Sequence, residues 1–223
     1  MPPTNLLWQE RRSDSVYVES VWRCQALEAT TRAVIADPCI CISLVTSACS
    51  IEVVIAGPKS RPRLLVLPAG YTCITIRLKP GVGLKGYQAS DFINDAISTP
   101  ADCQGVFIYE GISFRFPAFE HAEQLVAELF AAGCLSFTQL HHIPTQPRRT
   151  YSRQIKRFTG ISPYKLYQLE RIHLALRLLK QGATTGDVIA RLNFTDQAHL
   201  VHASKQLLGF TPKQLKRQLL QTP

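Results

Sequence analysis

The phrase FTGISPYKLY at Phe158–Tyr167 recurs as LLGFTPKQLK at Leu207–Lys216, 49 residues further along the chain. The register sets Lys156 over Lys205, Phe158 over Leu207, Gly160 over Gly209, Ser162 over Thr211, Pro163 over Pro212 and Leu166 over Leu215. A repeat constrains a fold more than composition does, because the same local geometry must occur twice. Each copy reads helix, glycine, apolar residue, Ser or Thr, proline, helix. Gly160 and Gly209 suit the left-handed conformation just past a helix end. Ser162 and Thr211 suit the cap of the next helix, and Pro163 and Pro212 its first turn. The phrase therefore specifies a sharp corner between two helices, as required where one helix must be aimed.

The helix before the first corner spans roughly Pro147–Thr159 and has two faces. Tyr151, Ile155 and Phe158 fall on the side that packs, whereas Arg149, Ser152, Arg153 and Lys156 fall on a cationic, donor-rich side. Upstream, SFTQLHHIPTQPRR reads as a short helix, a break at Pro144 and a restart, a helix-turn-helix with the basic helix second. TTGDVIARLNFTDQAHLVHASKQLLG offers the same order. Thr184 and Asp187 form a capping-box-like start, Asn193–Thr195 a turn, Asp196 an N-cap, and a second helix runs to Leu208. A helix at about Pro163–Lys180, with Leu166, Leu169, Ile172, Leu176 and Leu179 on one side, joins the units. It is roughly 27 Å long, near the ~34 Å between successive major-groove faces on one side of B-DNA.

The charge is divided in the same way. Residues 1–135 hold 11 Lys/Arg against 13 Asp/Glu, and residues 136–223 hold 14 against 3, so the formal net charge of +9 belongs to the C-terminal part. That asymmetry points to a polyanion-binding module on a near-neutral domain, with nucleic acid the leading partner and an anionic membrane surface the second. The 46% hydrophobic content supports a packed core.

The first hundred residues are strand-rich. SVYVESVWRCQ, CICISLVTS, SIEVVIAG, RLLVLPAG and YTCITIRLKP are β-branched or aromatic runs separated by Gly, Pro and Ser. A short helix is expected across ASDFINDAI and a longer one across AFEHAEQLVAELFAAG, stopping at Gly133. The expected class is α+β: a β-rich domain with short helices over 1–135, then an all-α domain over 136–223 containing two helix-turn-helix units joined by a long helix.

The C-terminal words YSRQIKRFTGISPYKLYQLERIHLALRLL and DVIARLNFTDQAHLVHASKQLLGFTPKQL resemble the two-fold helix-turn-helix domain of AraC-type bacterial transcription regulators, over about residues 136–220. IRLKPGVG leading into ASDFINDAI is similar to a poorly understood domain that precedes this module in some such regulators. The resemblance implies that the second helix of each unit enters the major groove of double-stranded DNA. Arg148, Arg149, Ser152, Arg153 and Lys156 then face DNA in the first unit, and Gln197, Ala198, His199, His202 and Lys205 in the second. Arginine can bond guanine through two donors, whereas Ala198 reaches at most a thymine methyl, so the first unit is expected to dominate. Departures from the family pattern concentrate in the second unit: Ile189 for a small residue, Asn193 for a turn glycine, His202 for arginine and Ser204 for a core aromatic. The resemblance further implies an effector or homodimerisation acting through the N-terminal domain, and contact with RNA polymerase if the protein activates.

Other chemistry is less well marked. The seven cysteines contain no CxxC pair, which suits free thiols in a reducing cytoplasm and indicates no zinc knuckle or disulfide framework. Cys39 and Cys41 share a strand face, with Cys49 and Cys73 on strands nearby. That grouping suits either plain packing or a thiol- or metal-responsive sensor. The histidine pairs His141–His142 and His199–His202 lie on or beside the expected DNA-facing surface and read as DNA contacts rather than metal ligands. The sequence offers no Ser-His-Asp motif, nucleotide-binding glycine loop or HExxH, so neither an enzyme nor a cofactor is expected. Val34–Ala56 is interrupted by Asp37, Pro38 and Glu52, so no membrane span is expected. A nonspecific DNA-compacting protein shares the basic charge but has no need of aimed helices.

Overall fold

The computed structural model describes residues 5–90, 92–138, 148–212 and 214. Twelve strands and a helix come first: β1 (Leu6–Arg12), β2 (Val18–Ala26), β3 (Thr30–Val34), β4 (Cys41–Thr46), β5 (Ile51–Ala56), β6 (Arg63–Leu67), β7 (Thr72–Leu78), β8 (Val82–Leu84), β9 (Ala96–Pro100), β10 (Val106–Tyr109), β11 (Ile112–Arg115), α1 (Glu123–Ala131) and β12 (Leu135–Phe137). Four helices follow: α2 (Arg148–Thr159), α3 (Pro163–Lys180), α4 (Thr185–Leu192) and α5 (Gln197–Leu208). The α+β class, with a β-rich region followed by a helical one, holds.

Six strands form an antiparallel sheet in the order β1-β2-β7-β4-β5-β9, and β10–β11, β8–β12 and β3–β6 make separate pairs. Because successive side chains alternate across a strand, the large sheet has two unlike faces. Ile42, Val53, Ile55, Ile76 and Leu78 are buried on one, where they join Phe107, Phe114 and Phe119 and the Leu125, Val126 and Leu129 stripe of α1. Cys24, Cys73, Thr75, Ser43 and Trp22 occupy the other, which lines an open cleft against α3. Arg11 anchors β1 to α1, donating two hydrogen bonds to Glu123 at 2.5 and 2.7 Å and two to the Phe119 carbonyl.

Three expectations need correction. No helix forms at ASDFINDAI among its described residues: the segment passes through turns and enters β9, whose Ile97 pairs with Ile55. The segment SFTQLHHIPTQPRR does not begin as a helix, because Ser136 and Phe137 lie in β12 opposite Gly83 and Val82; its continuation over 139–147, including His141 and His142, lies outside the described residues. Cys49 lies in the Ser47–Ser50 turn rather than on a strand, and Cys73 faces Cys24 across β2 and β7 rather than joining a Cys39–Cys41 cluster.

The helices have their own core, built from Ile161, Leu169, Ile172, Ala175, Val188, Leu200 and Leu208, and Ala36 of the β-rich region enters it. The Ala36 N–H donates to the Leu207 carbonyl at 3.3 Å. Beside it, the Arg77 guanidinium donates to both oxygens of Asp37 at 2.7 and 3.0 Å and holds that carboxyl below its ordinary value against the opposing effect of burial. His173 of α3 lines the same cleft as this pair, and burial lowers its pKa, favouring the neutral ring.

Candidate nucleic-acid interface

On α2, Ile155 is buried and Tyr151 and Phe158 are half-buried, leaving Arg149, Arg153 and Lys156 exposed and Ser152 half-exposed. The helix contains no acidic residue, and among the described residues no carboxylate pairs with Arg149, Arg153 or Lys156. Arg148 begins the helix. A packed face thus carries a row of cations that no carboxylate among the described residues neutralises.

The corner after α2 is built by its own residues. The Thr159 hydroxyl, wholly buried, donates to the Ile155 carbonyl at 2.7 Å and accepts from the Ile161 N–H at 3.2 Å, closing the helix end. Gly160 follows at φ +66°, and a Cβ there would lie 2.7 Å from the Ala89 carbonyl oxygen. The position needs glycine both for its conformation and for the close approach of a neighbouring backbone. Ser162 then caps α3 by accepting from the Lys165 N–H at 3.3 Å, with Pro163 in the first turn. At the second corner Gly209 has φ +82°, and the Thr211 hydroxyl accepts from the Gln214 N–H at 3.2 Å.

Between the corners, α4 begins with a reciprocal box. The Thr184 hydroxyl accepts from the Asp187 N–H at 3.1 Å, while the Asp187 carboxylate accepts from the Thr184 N–H at 3.0 Å. Asn193 turns the chain at φ 54°, and Asp196 caps α5 by accepting from the His199 N–H at 2.7 Å. Gln197, Ala198, His202 and Lys205 are exposed along α5. His199 is half-buried and committed locally: its Nδ1 lies 2.8 Å from the Thr195 hydroxyl, and its ring meets Phe194 edge-on. Arg171 of α3 covers Phe194, its guanidinium carbon 3.9 Å from the ring centroid. Thr195, Phe194 and Arg171 are thus supporting residues that the sequence reading did not assign to the site. Ser204 is wholly buried and donates to the Phe210 carbonyl at 2.6 Å, so a hydroxyl ties the end of α5 to the following chain.

Residues 146–218 match the family model described as a helix-turn-helix domain. This segment is an AraC-type helix-turn-helix domain. Over 110 residues the chain is 33% identical to YidL of Escherichia coli strain K12, an uncharacterized HTH-type transcriptional regulator; the match covers 48% of this chain and 37% of YidL. The chain therefore spans well under half the length of that relative. No solved structure matches the chain significantly. Among the described residues of the AraC-type domain and the region before it, no group of three His, Cys, Asp or Glu is placed to hold a metal ion, and no helix is long and apolar enough to cross a membrane.

Proposed function

We propose that the protein is a sequence-specific, DNA-binding transcription regulator, not an enzyme, whose α2 and α5 enter adjacent major-groove segments as the second helices of two helix-turn-helix units. The observation that carries this reading is the exposed row Arg149, Arg153 and Lys156, paired with no carboxylate among the described residues, on a helix aimed by a self-built corner. Arg153 and Arg149 present planar donors suited to guanine, and Ser152 and Lys156 suit phosphate. On α5, Gln197, His202 and Lys205 supply weaker polar contacts and Ala198 an apolar one. His199 acts chiefly by holding the start of α5. Arg148, the first residue of α2, adds to the positive charge of this helix.

In this reading residues 136–223 bind DNA in the cytoplasm, and residues 1–135 sense an effector or mediate homodimerisation. An activator of this kind also contacts RNA polymerase. The similarity to YidL, an HTH-type transcriptional regulator, is consistent with this assignment. The test is binding-site selection with the full chain against a random duplex pool near physiological salt, followed by sequencing. A guanine-containing block with a weaker block about one helical turn away is the expected result. Tight binding with no enriched sequence would instead favour a nonspecific DNA-compacting protein, because phosphate contacts alone carry no base information.

A further inference from the structure

Cys24 on β2 and Cys73 on β7 stand directly opposite each other in the antiparallel register, with their sulfur atoms 2.9 Å apart. Closing that gap to the ~2.05 Å of a disulfide requires a movement of only about 0.9 Å, with both residues already on one face of paired strands. The pair differs from the other five cysteines. All seven are free thiols; Cys39, Cys41 and Cys134 are buried, as Cys24 and Cys73 are, and Cys49 and Cys103 are exposed, so burial alone does not set the pair apart. The Cys39 and Cys41 thiols are pushed up by burial, which makes them poor nucleophiles.

The surroundings of Cys24 and Cys73 are of another kind. Both line the open cleft between the sheet and α3, together with Arg32, Trp8, Trp22 and Tyr71. The Arg32 guanidinium carbon lies 3.6 Å from the centroid of Trp8, and no carboxylate among the described residues lies within ion-pair distance of it. The Thr75 hydroxyl points a hydrogen bond at the Cys73 sulfur from 3.9 Å. The Cys24 S–H, that hydroxyl and the Arg32 charge together hold the Cys73 thiol below its ordinary value against the desolvation that opposes them. The same contact, with burial added, holds the Cys24 thiol well above its ordinary value, so Cys24 keeps its proton while Cys73 carries the charge. The Thr75 hydroxyl and Arg32 beside Cys73 favour that order, and once Cys73 is oxidised the thiolate that held the Cys24 proton is gone.

We infer that Cys24 and Cys73 form a reversible two-cysteine redox site that a small peroxide reaches through the cleft and converts to an intramolecular disulfide. The Cys73 thiolate attacks one oxygen of hydrogen peroxide. An S–O bond forms as the O–O bond breaks, and the leaving oxygen takes a proton and departs as water. Cys24 then attacks the sulfenic sulfur; its thiol proton goes to the departing hydroxyl, a second water leaves, and the Sγ–Sγ bond closes. Two thiols are oxidised by two electrons and one peroxide is reduced to two waters. A dithiol reductant reverses the bridge by exchange. The inference rests on the sheet alone and stands independently of the DNA-binding reading.

The experiment treats the native full chain with a few molar equivalents of hydrogen peroxide, blocks remaining thiols after unfolding, and maps peptides without reduction. The expected result is a peptide linking Cys24 to Cys73 in monomeric protein, with free thiols falling from seven to five in a chain whose Cys49 and Cys103 stay reduced, and full recovery with dithiothreitol. Replacing both exposed cysteines, Cys49→Ser and Cys103→Ser, removes competing intermolecular products and should leave the linked peptide. In Cys24→Ser, Cys73 should persist as a sulfenic acid captured by dimedone. Should that variant fail to fold, the wild-type map decides alone. Cys24 and Cys73 both remaining alkylatable while Cys49 or Cys103 oxidises would overturn the inference, as would a bridge that forms only in unfolded protein.

Discussion

The helices α2 and α5 occupy equivalent places in a repeat and have been fitted differently. Around α5 the chain builds dense local support: Asp196 at the start, Thr195 on His199, Arg171 over Phe194, and Ser204 tying the end to Phe210. Its exposed side is modest, with one lysine and one histidine among Gln197 and Ala198. Around α2 the Thr159–Gly160 corner supplies support at the C-terminal end, and the exposed side is strongly cationic. The repeat therefore preserves the corner while separating two tasks. In the proposed reading, one copy does most of the binding and the other mainly holds its own shape.

The largest test of that contrast is the pair of corner glycines. Gly160→Ala places a Cβ against the Ala89 carbonyl in a left-handed backbone and should cost about 2–4 kcal/mol in urea unfolding. Gly209→Ala meets only Pro62 side-chain atoms at 3.3 Å and should cost about 1–2 kcal/mol. Equal losses would remove the distinction between the corners. Next in size, Arg153→Ala should weaken binding to a selected DNA site by about 1–3 kcal/mol, while His202→Ala should cost under about 1 kcal/mol. Fluorescence anisotropy on one duplex would measure both, and a larger loss for His202→Ala would reverse the proposed division.

Asp196→Ala removes the α5 cap and should cost about 1 kcal/mol of stability with unchanged DNA sequence preference, read by thermal melting and repeat site selection. A changed preference would show that this end of α5 reads bases. The smallest effect belongs to Asp187. Its hydrogen bonds from Thr184 lower its pKa, so its contribution is present above the ordinary aspartate value of about 3.9 and fades as pH falls through the lower folded value. Wild type and Asp187→Asn should differ in melting temperature near neutral pH and converge in acid. A gap that stays constant would mean that the Asp187 charge is irrelevant.

The features legible in the sequence are those made by residues close together along the chain. Thr184 with Asp187, Asp196 before α5, and glycine followed by a cap and proline each announce a helix end through chemistry confined to three or four residues. Those signals gave α3 and α5 their limits. The misread segments depend on distant partners. Leu135–Phe137 is a strand because Val82–Leu84 lies alongside it, and Ala96–Pro100 because β5 does. Alternation over so few residues cannot reveal either pairing. The opposition of Cys24 and Cys73 was hidden for the same reason, being a matter of register between two strands 49 residues apart. At the interface, the residue types on α2 and α5 could be read directly, but the engagement of His199 with Thr195 requires the turn to place the hydroxyl.

Three separate stretches of the β-rich region rest on the helical one: Ala36 bonds the Leu207 carbonyl, Ala89 closes against Gly160, and Pro62 touches Gly209. They stand like the feet of a tripod, one under each corner and the third beside the second. A tripod does not tip about one foot without loading the others. A shift of the sheet under Ala89 would therefore reach the first corner, and one under Pro62 and Ala36 the second, so both helix pairs lean on the same β-rich base.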